Sequence, residues 1–409
     1  MSNLLQINEP ETPERIAPSL QAFLEMGFRP LYLAGIAWAL VAVALWIFWP
    51  QLLQGPLAGV AWHAHEMMWG FVATIAIGFL MTAGANWTGV NPMPGPILLA
   101  ACVLWLAARV GLLAGTSAMF WLGFGAEAAF FLLACVAMAR AVYGTRNRRN
   151  YAVPGLLLGL GATDVLYLLA ALDGDYTLLM QRFNAGLLCM AVIALLVGRR
   201  VIPFFAMRAV PGLSIPLQER SGLVQLGAGA LAVLFVLLQW QLPLALALLA
   251  AGSVPVWQLL TWNPWAVRRK PLLWILYAGY ASLGAGLLVA AAQAAGLPLR
   301  TAVHVHVIAM GGFSVLIIGM VTRTALGHLG RPLAVDRSMT ASYMLMLLAF
   351  VLRLAALYPS TFSALLLQGA ALAWIAALAL YLWRFFPWMI RPRPDRAAAP
   401  ATVIVSKRP

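Results

Sequence analysis

The chain has 409 residues, of which 63% are hydrophobic and only 9% charged, against about 25% charged in an average soluble domain. That composition excludes a soluble globular protein and predicts an all-α, polytopic integral membrane protein with room for a dozen spans of about 20 residues each. The net charge of +14 reads as a topology determinant in contact with the lipid bilayer and its anionic head groups, and not as a nucleic-acid-binding surface.

Residues 1–29 are polar, carry Glu9, Glu11, Glu14 and Glu25, and form a predicted cytoplasmic tail. The first apolar run has full spanning length and lacks a small-residue cleavage site, so no cleaved signal peptide is expected. Apolar runs bounded by Pro, Gly and charge clusters then place twelve spans at 30–49, 62–85, 95–115, 117–142, 152–172, 178–198, 222–240, 242–260, 271–295, 300–321, 338–357 and 362–386. Together they make a membrane domain over 30–386, followed by a basic tail over 387–409. The seventh and eighth spans have only the polar break from Gln239 to Pro243 to serve as their hairpin. Cys102, Cys135 and Cys189 lie singly in apolar runs with no C-x-x-C spacing, so neither a disulfide framework nor a thiolate metal site is suggested.

Arginine and lysine mark alternate loops. Arg146, Arg148 and Arg149 follow the fourth span, Arg199, Arg200, Arg208 and Arg220 the sixth, and Arg268, Arg269 and Lys270 the eighth. Arg331 and Arg337 follow the tenth. The intervening loops are neutral or, at Asp173 and Asp175, acidic. On the positive-inside rule both termini are expected in the cytoplasm.

With that orientation, each polar residue inside a span acquires a depth. Glu66, Glu127, Asp164, Arg109, Arg182 and Arg353 come from six spans, yet all fall in the outer half of the bilayer, with His63, His65, His304 and His306. Ionisable groups in hydrocarbon cost several kcal/mol each unless they pair or line a wet cavity. They predict one polar chamber opening outward. The structural alternatives are ion pairs such as Asp164 with Arg353, snorkelling of Arg109 and Arg353, and helix capping by Glu66.

The five histidines are not scattered. His63 and His65 form His-Ala-His-Glu at the outer start of the second span, and His304 and His306 form His-Val-His at the outer start of the tenth. His328 follows the inner end of the tenth, flanked by Arg323 and Arg331. Imidazole is a common ligand for copper, haem iron and zinc, and His-x-His is a frequent copper arrangement. On a regular helix, however, residues two apart point about 200° from each other. Both members of a pair reach one metal only where the helix has not begun or is distorted. The two histidine helices also match each other: with His65 over His306, Gly70 falls on Gly311 and Gly78 on Gly319. Small residues at that spacing let a neighbouring backbone or a flat cofactor approach closely.

The run His63-Ala-His65-Glu66 through Gly70-Phe71, continuing over Gly78 to Asn86-Trp87-Thr88-Gly89, resembles the signature of the NnrS family. So do Arg323 through Leu326-Gly327-His328 to Gly330-Arg331, and the turn Gly198-Arg199-Arg200-Val201-Ile202-Pro203. The resemblance covers most of the chain. It implies a twelve-span bacterial inner-membrane protein that contains haem, of the b type, and copper, and that belongs to the response to nitric oxide. It carries over to His63, His65, Glu66, His306, His328, Arg323 and Arg331, and not clearly to His304.

The resemblance leaves open which histidine takes haem and which copper. His65 or His306, with the glycines one and three turns on, could give haem an axial ligand and a flat slot. Met67, Met68 and Met310 could add thioethers to copper. His328 lies about 33 Å from His306 along a helix, so one mononuclear site cannot hold both. It either serves a second, inner cofactor, with Arg323 and Arg331 on haem propionates, or caps the helix. The expected function is binding and detoxification of nitric oxide at an outer histidine-rich site. If the protein turns over, it is a nitric oxide reductase-like oxidoreductase with Glu66, Glu127 or Asp164 relaying protons. Turnover would also need an external electron donor, because no C-x-x-C-His motif or iron–sulfur ligand set is present. A sensor or scavenger without turnover, and a transporter for a small substrate or for copper, are the alternatives.

Overall fold

The structure is a computed structural model and describes residues 17–394 apart from Leu217. Glu9, Glu11 and Glu14 of the N-terminal tail, and the basic tail from residue 395, lie outside the described residues. Among the described residues there is no strand, and twelve helices are long and apolar enough to cross a membrane. They are α1 (Phe28–Phe48), α2 (Gly59–Thr88), α3 (Gly95–Leu113), α4 (Ser117–Gly144), α5 (Arg148–Asp173) and α6 (Tyr176–Ala209). The second half comprises α7 (Glu219–Leu238), α8 (Gln241–Thr261), α9 (Pro271–Ala294), α10 (Ala302–His328), α11 (Arg337–Ala355) and α12 (Ser363–Met389).

Every predicted span has its helix, and the differences lie at the ends. The helix α6 runs eleven residues past the expected end at 198, through Pro203, to Ala209. The helix α10 continues past 321 to His328. Both extensions carry arginines, whose polarity hides a helix from a hydropathy reading although the backbone hydrogen bonds continue. The break between α7 and α8 is tighter than the polar run suggests. Gln239 takes a left-handed conformation (φ 59°), and its N–H reaches back to Phe235 and Val236. The helix α8 restarts at Gln241, with Pro243 in a first turn that has no N–H partner to lose.

Side chains set several other helix starts. Thr116 caps α4 by accepting from the Met119 N–H at 3.3 Å. Asp175 caps α6 by accepting from Thr177 and Leu178 at 2.8 and 3.1 Å. Asp336 caps α11 by accepting from Met339 at 3.0 Å. Glycine lets helices meet where lipid offers no hydrophobic drive to association. A Cβ at Gly111 of α3 would stand 2.6 Å from the Gly123 nitrogen of α4, so the two backbones are in direct contact there.

The helices pack largely in chain order, and α12 returns to close on α1. Three of them are the most buried: 78% of the spanning window of α2, 72% of α6 and 67% of α10, followed by 61% of α9, against 22% for α7 and 28% for α11. These three, four spans apart along the chain, touch one another pairwise at the centre. A cavity enclosed at the centre therefore lies between α2, α6 and α10.

An even number of spans puts both ends of the bundle on one side of the bilayer, and the positive-inside rule makes the cytoplasm the expected side. An alkaline phosphatase reporter is expected to be active when fused after Gly174 and silent when fused after Arg149. The reverse pattern would invert the orientation.

Candidate functional site

The helices α2 and α10 share a local distortion that begins at the same place in each. Regular α-helix covers Gly59–His65 and Thr301–His306. An eight-residue π-helix then follows directly after the second histidine, over Glu66–Ala73 in α2 and Val307–Ser314 in α10. A hydroxyl closes each widened turn. Thr74 Oγ1 donates to the Trp69 and Gly70 carbonyls at 3.2 and 2.9 Å, and Ser314 Oγ donates to the Ala309 carbonyl at 2.8 Å. The sequence match between the two helices is thus a match of backbone form, and π-helical turns concentrate at functional sites.

The distortion starts after the histidines, so each pair sits on regular helix. In α2 the consequence is complete separation. His65 turns toward α3, α4 and α5 and is fully buried. Its Nδ1 lies 3.0 Å from Glu66 Oε1 and its Nε2 2.9 Å from Asp164 Oδ1, with Glu127 Oε2 at 3.7 Å. Arg109 bridges the same group by donating to Glu66 Oε2 and to Glu127 Oε2. Trp38 of α1 donates its Nε1 hydrogen to Glu66 Oε2 as well. One cluster therefore ties together α1 through α5. Trp69 and Tyr167 cover the imidazole, with ring centroids 5.5 and 5.9 Å away. Gly70 makes the space, because a Cβ there would collide with Arg109 Nη1 and Glu66 Oε2.

His65, Glu127 and Asp164 offer ligand atoms within 4.8 Å of one another, a spacing that can hold a metal ion. Two features weigh against one. Arg109 already brings a positive charge to Glu127. Both nitrogens of His65 also meet carboxylates, and a ring that donates to both is an imidazolium with no lone pair to give. The arrangement is a buried ion network.

His63 points the other way, into a cavity of about 520 Å³ between α2, α6 and α10. His304, His306 and Arg353 line the same space, with Met67, Met68, Met310, Phe71, Phe313 and Trp374 among its apolar walls. His63 stacks on Trp46 at 5.2 Å with the rings 10° from parallel, and its buried Nδ1 has no hydrogen-bond partner among the described residues. His306 donates Nδ1–H to the Ala302 carbonyl at 2.8 Å, which leaves the Nε2 lone pair for a ligand. His304 Nε2 lies 3.0 Å from Asn184 Oδ1 of α6.

The single outer chamber expected from depth is thus two compartments on opposite sides of α2. Asp164 pairs with His65 and not with Arg353, and Arg109 is buried and bridged instead of snorkelling. The glycines aligned between the helices form no open slot. Phe350 covers Gly311, Leu31 and Tyr32 cover Gly78, and Ile275 and Leu276 cover Gly319. The three cysteines are free.

At the inner ends of the same three helices lies a second cavity, of about 1,220 Å³, which His328 and Arg323 line. The guanidinium of Arg323 stands 3.8 Å over the Phe205 ring. Arg331 turns away and lies over Trp388 at 4.7 Å, so only one of the two arginines flanking His328 joins it. Sequence reasoning missed Trp38, Trp46 and Asn184 as partners. Asn184 was detectable as an amide inside an apolar span, as Gln181 is, whereas the two tryptophans carried no signal to separate them from packing.

These features define a multi-pass helical membrane protein with a buried ion network and a histidine-lined cavity between paired π-helices. The sequence model of the NnrS protein family matches residues 22–393, and the chain belongs to that family. No curated protein matches it.

Removing Arg109 would leave Glu66 and Glu127 buried without their counter-charge. Arg109→Gln is expected to cost roughly 3–5 kcal/mol, and Gly70→Ala, which pushes a methyl group into the bridge, about 1–3 kcal/mol. Unfolding of purified protein in detergent measures both, and wild-type stability in Arg109→Gln would show that the network is dispensable to the fold.

Proposed function

We propose that the protein is a haem- and copper-containing protein of the bacterial inner membrane that binds nitric oxide, and that its metal centre is the outer cavity. The observation that carries this reading is the convergence of three of the five histidines, from two helices distorted in the same way, on one apolar space. A copper ion alone needs no such room, whereas about 520 Å³ falls in the range of roughly 300–1,000 Å³ that small-molecule ligands occupy.

The donor chemistry fits both groups. His63, with an unpartnered ring nitrogen, and His306, with its tautomer held by Ala302, would hold haem between α2 and α10. Arg353 on the same wall is placed for its carboxylates. His304 and the thioethers of Met67, Met68 and Met310 offer copper the imidazole and sulfur ligands it prefers. Haem iron supplies nitric oxide binding and one-electron exchange. The chain's own residues do the rest. Trp46 fixes the His63 ring, Ala302 orients His306, and the methionine and aromatic walls exclude water while letting a small apolar gas enter from lipid.

Glu66, Glu127 and Asp164 take a different part from proton relay into this cavity, since none of them lines it. They clamp α2 from behind and so set the direction of His63. Binding and reduction to nitrous oxide share this centre, and anaerobic consumption of nitric oxide with a supplied electron donor separates them. The presence of a second cavity along the same helices favours transport as the other reading. A haem Soret band in the purified protein decides against plain transport.

His63→Ala and His306→Ala are each expected to lose most of the Soret absorbance, at least tenfold relative to wild type, while Cys189→Ala keeps it. His65→Gln, by contrast, is expected to lower stability first. Unchanged haem and copper in all the histidine variants, measured by pyridine haemochrome and metal analysis, would overturn the assignment.

A further inference from the structure

The inner cavity remains outside that reading, and its lining is one-sided in charge. Arg149 comes from the first turn of α5, Arg200 and Arg208 from the extension of α6, Lys270 from the residue before α9, and Arg323 and His328 from α10. No carboxylate lines it among the described residues. The positive-inside rule accounts for arginines in water-exposed loops, but it does not call for one turned into the protein. Arg323 is such a residue: it is 7% exposed, stacks on Phe205, and makes no ion pair among the described residues.

The surroundings are organised. Arg200 donates to Asn150 Oδ1 at 3.0 Å and to the Arg149 carbonyl at 3.2 Å, which pins the first turn of α5 to the cavity wall. Arg208 lies over the Phe204 ring at 4.7 Å. Guanidinium groups held on aromatic faces lose little freedom on binding, and their planar donors match the oxygens of a phosphoryl group. Several such cations gathered without a counter-charge repel one another unless an anion sits among them. Basic pockets between spanning helices on the cytoplasmic side are places where anionic head groups bind.

We infer that the inner cavity is a binding site for a phosphate-bearing anion, held by Arg323 and Lys270 with the arginines of α6 and the start of α5 around it. The phosphate can belong to a lipid head group or to a soluble molecule. The inference is independent of the outer metal centre.

The test uses full-length protein purified in detergent and stripped of bound lipid, with thermal unfolding as the readout. Inorganic pyrophosphate is one probe and phosphatidylglycerol the other, against chloride at matched ionic strength and phosphatidylcholine as controls. One of the two anions is expected to raise the unfolding temperature by about 3–5 °C. A response to phosphatidylglycerol alone makes the ligand a lipid head group, and a response to pyrophosphate makes it soluble. Arg323→Gln and Lys270→Gln are each expected to weaken the response about tenfold in probe concentration, while Arg337→Gln, an exposed arginine outside the cavity, leaves it unchanged. Lys270 is exposed, so its variant reports on binding even where Arg323→Gln folds poorly. No response from wild type to either anion overturns the inference. So does a full response in both cavity variants, or loss of the Soret band in Arg323→Gln, which would return the cavity to haem.

Discussion

The bridge from Glu66 through Arg109 to Glu127 is the contact on which the outer half of the molecule depends. Charges enter a bilayer interior only when paired, and here one guanidinium and one imidazole answer three carboxylates from three helices. The geometry is strict because five helices contribute to it and His65, Glu66 and Arg109 each have partners on two sides. Its effect reaches beyond stability. Holding Glu66 and His65 against α3, α4 and α5 fixes the rotation of α2, and that rotation aims His63 at the cavity on the opposite face.

The paired π-helices extend the same logic to α10. Ending the regular helix at the second histidine leaves the histidine pairs on ordinary geometry while shifting the register of everything below. In α2 the two imidazoles part company, one into the ion network and one into the cavity. In α10 no carboxylate network waits behind the helix, and both His304 and His306 line the cavity. One local form, used twice, therefore yields three converging histidines.

The three central helices also explain why there are two cavities. At the outer end they are separated by histidine, methionine and aromatic side chains, at the inner end by arginines and the long continuation of α6. The span between His306 and His328 is about 33 Å of helix, so chemistry at one end does not touch ligands at the other. An apolar, imidazole-lined space at one end and a cationic one at the other can serve different partners on a single scaffold.

Much of this was legible in the residues alone. Runs of apolar side chains determine twelve spans because lipid offers a backbone no hydrogen bonds, so every crossing must be helix. The His-x-His spacing on a regular helix implied that paired histidines diverge, which holds for His63 and His65, whereas His304 and His306 line one cavity. The match of His65 with His306 marked the two helices that the structure shows distorted alike. Hydropathy could not follow α6 to Ala209 or α10 to His328, since helix continuing beyond the hydrocarbon needs no apolar signal. Nor could depth separate Asp164 from Arg353, because residues at one level can lie on opposite sides of a helix. Which carboxylate answers Arg109, which histidine is enclosed, and which arginine beside His328 turns inward are decided only when neighbouring helices meet. A side chain's partner is set by rotation about the helix axis, and that rotation belongs to the packing and not to any one span.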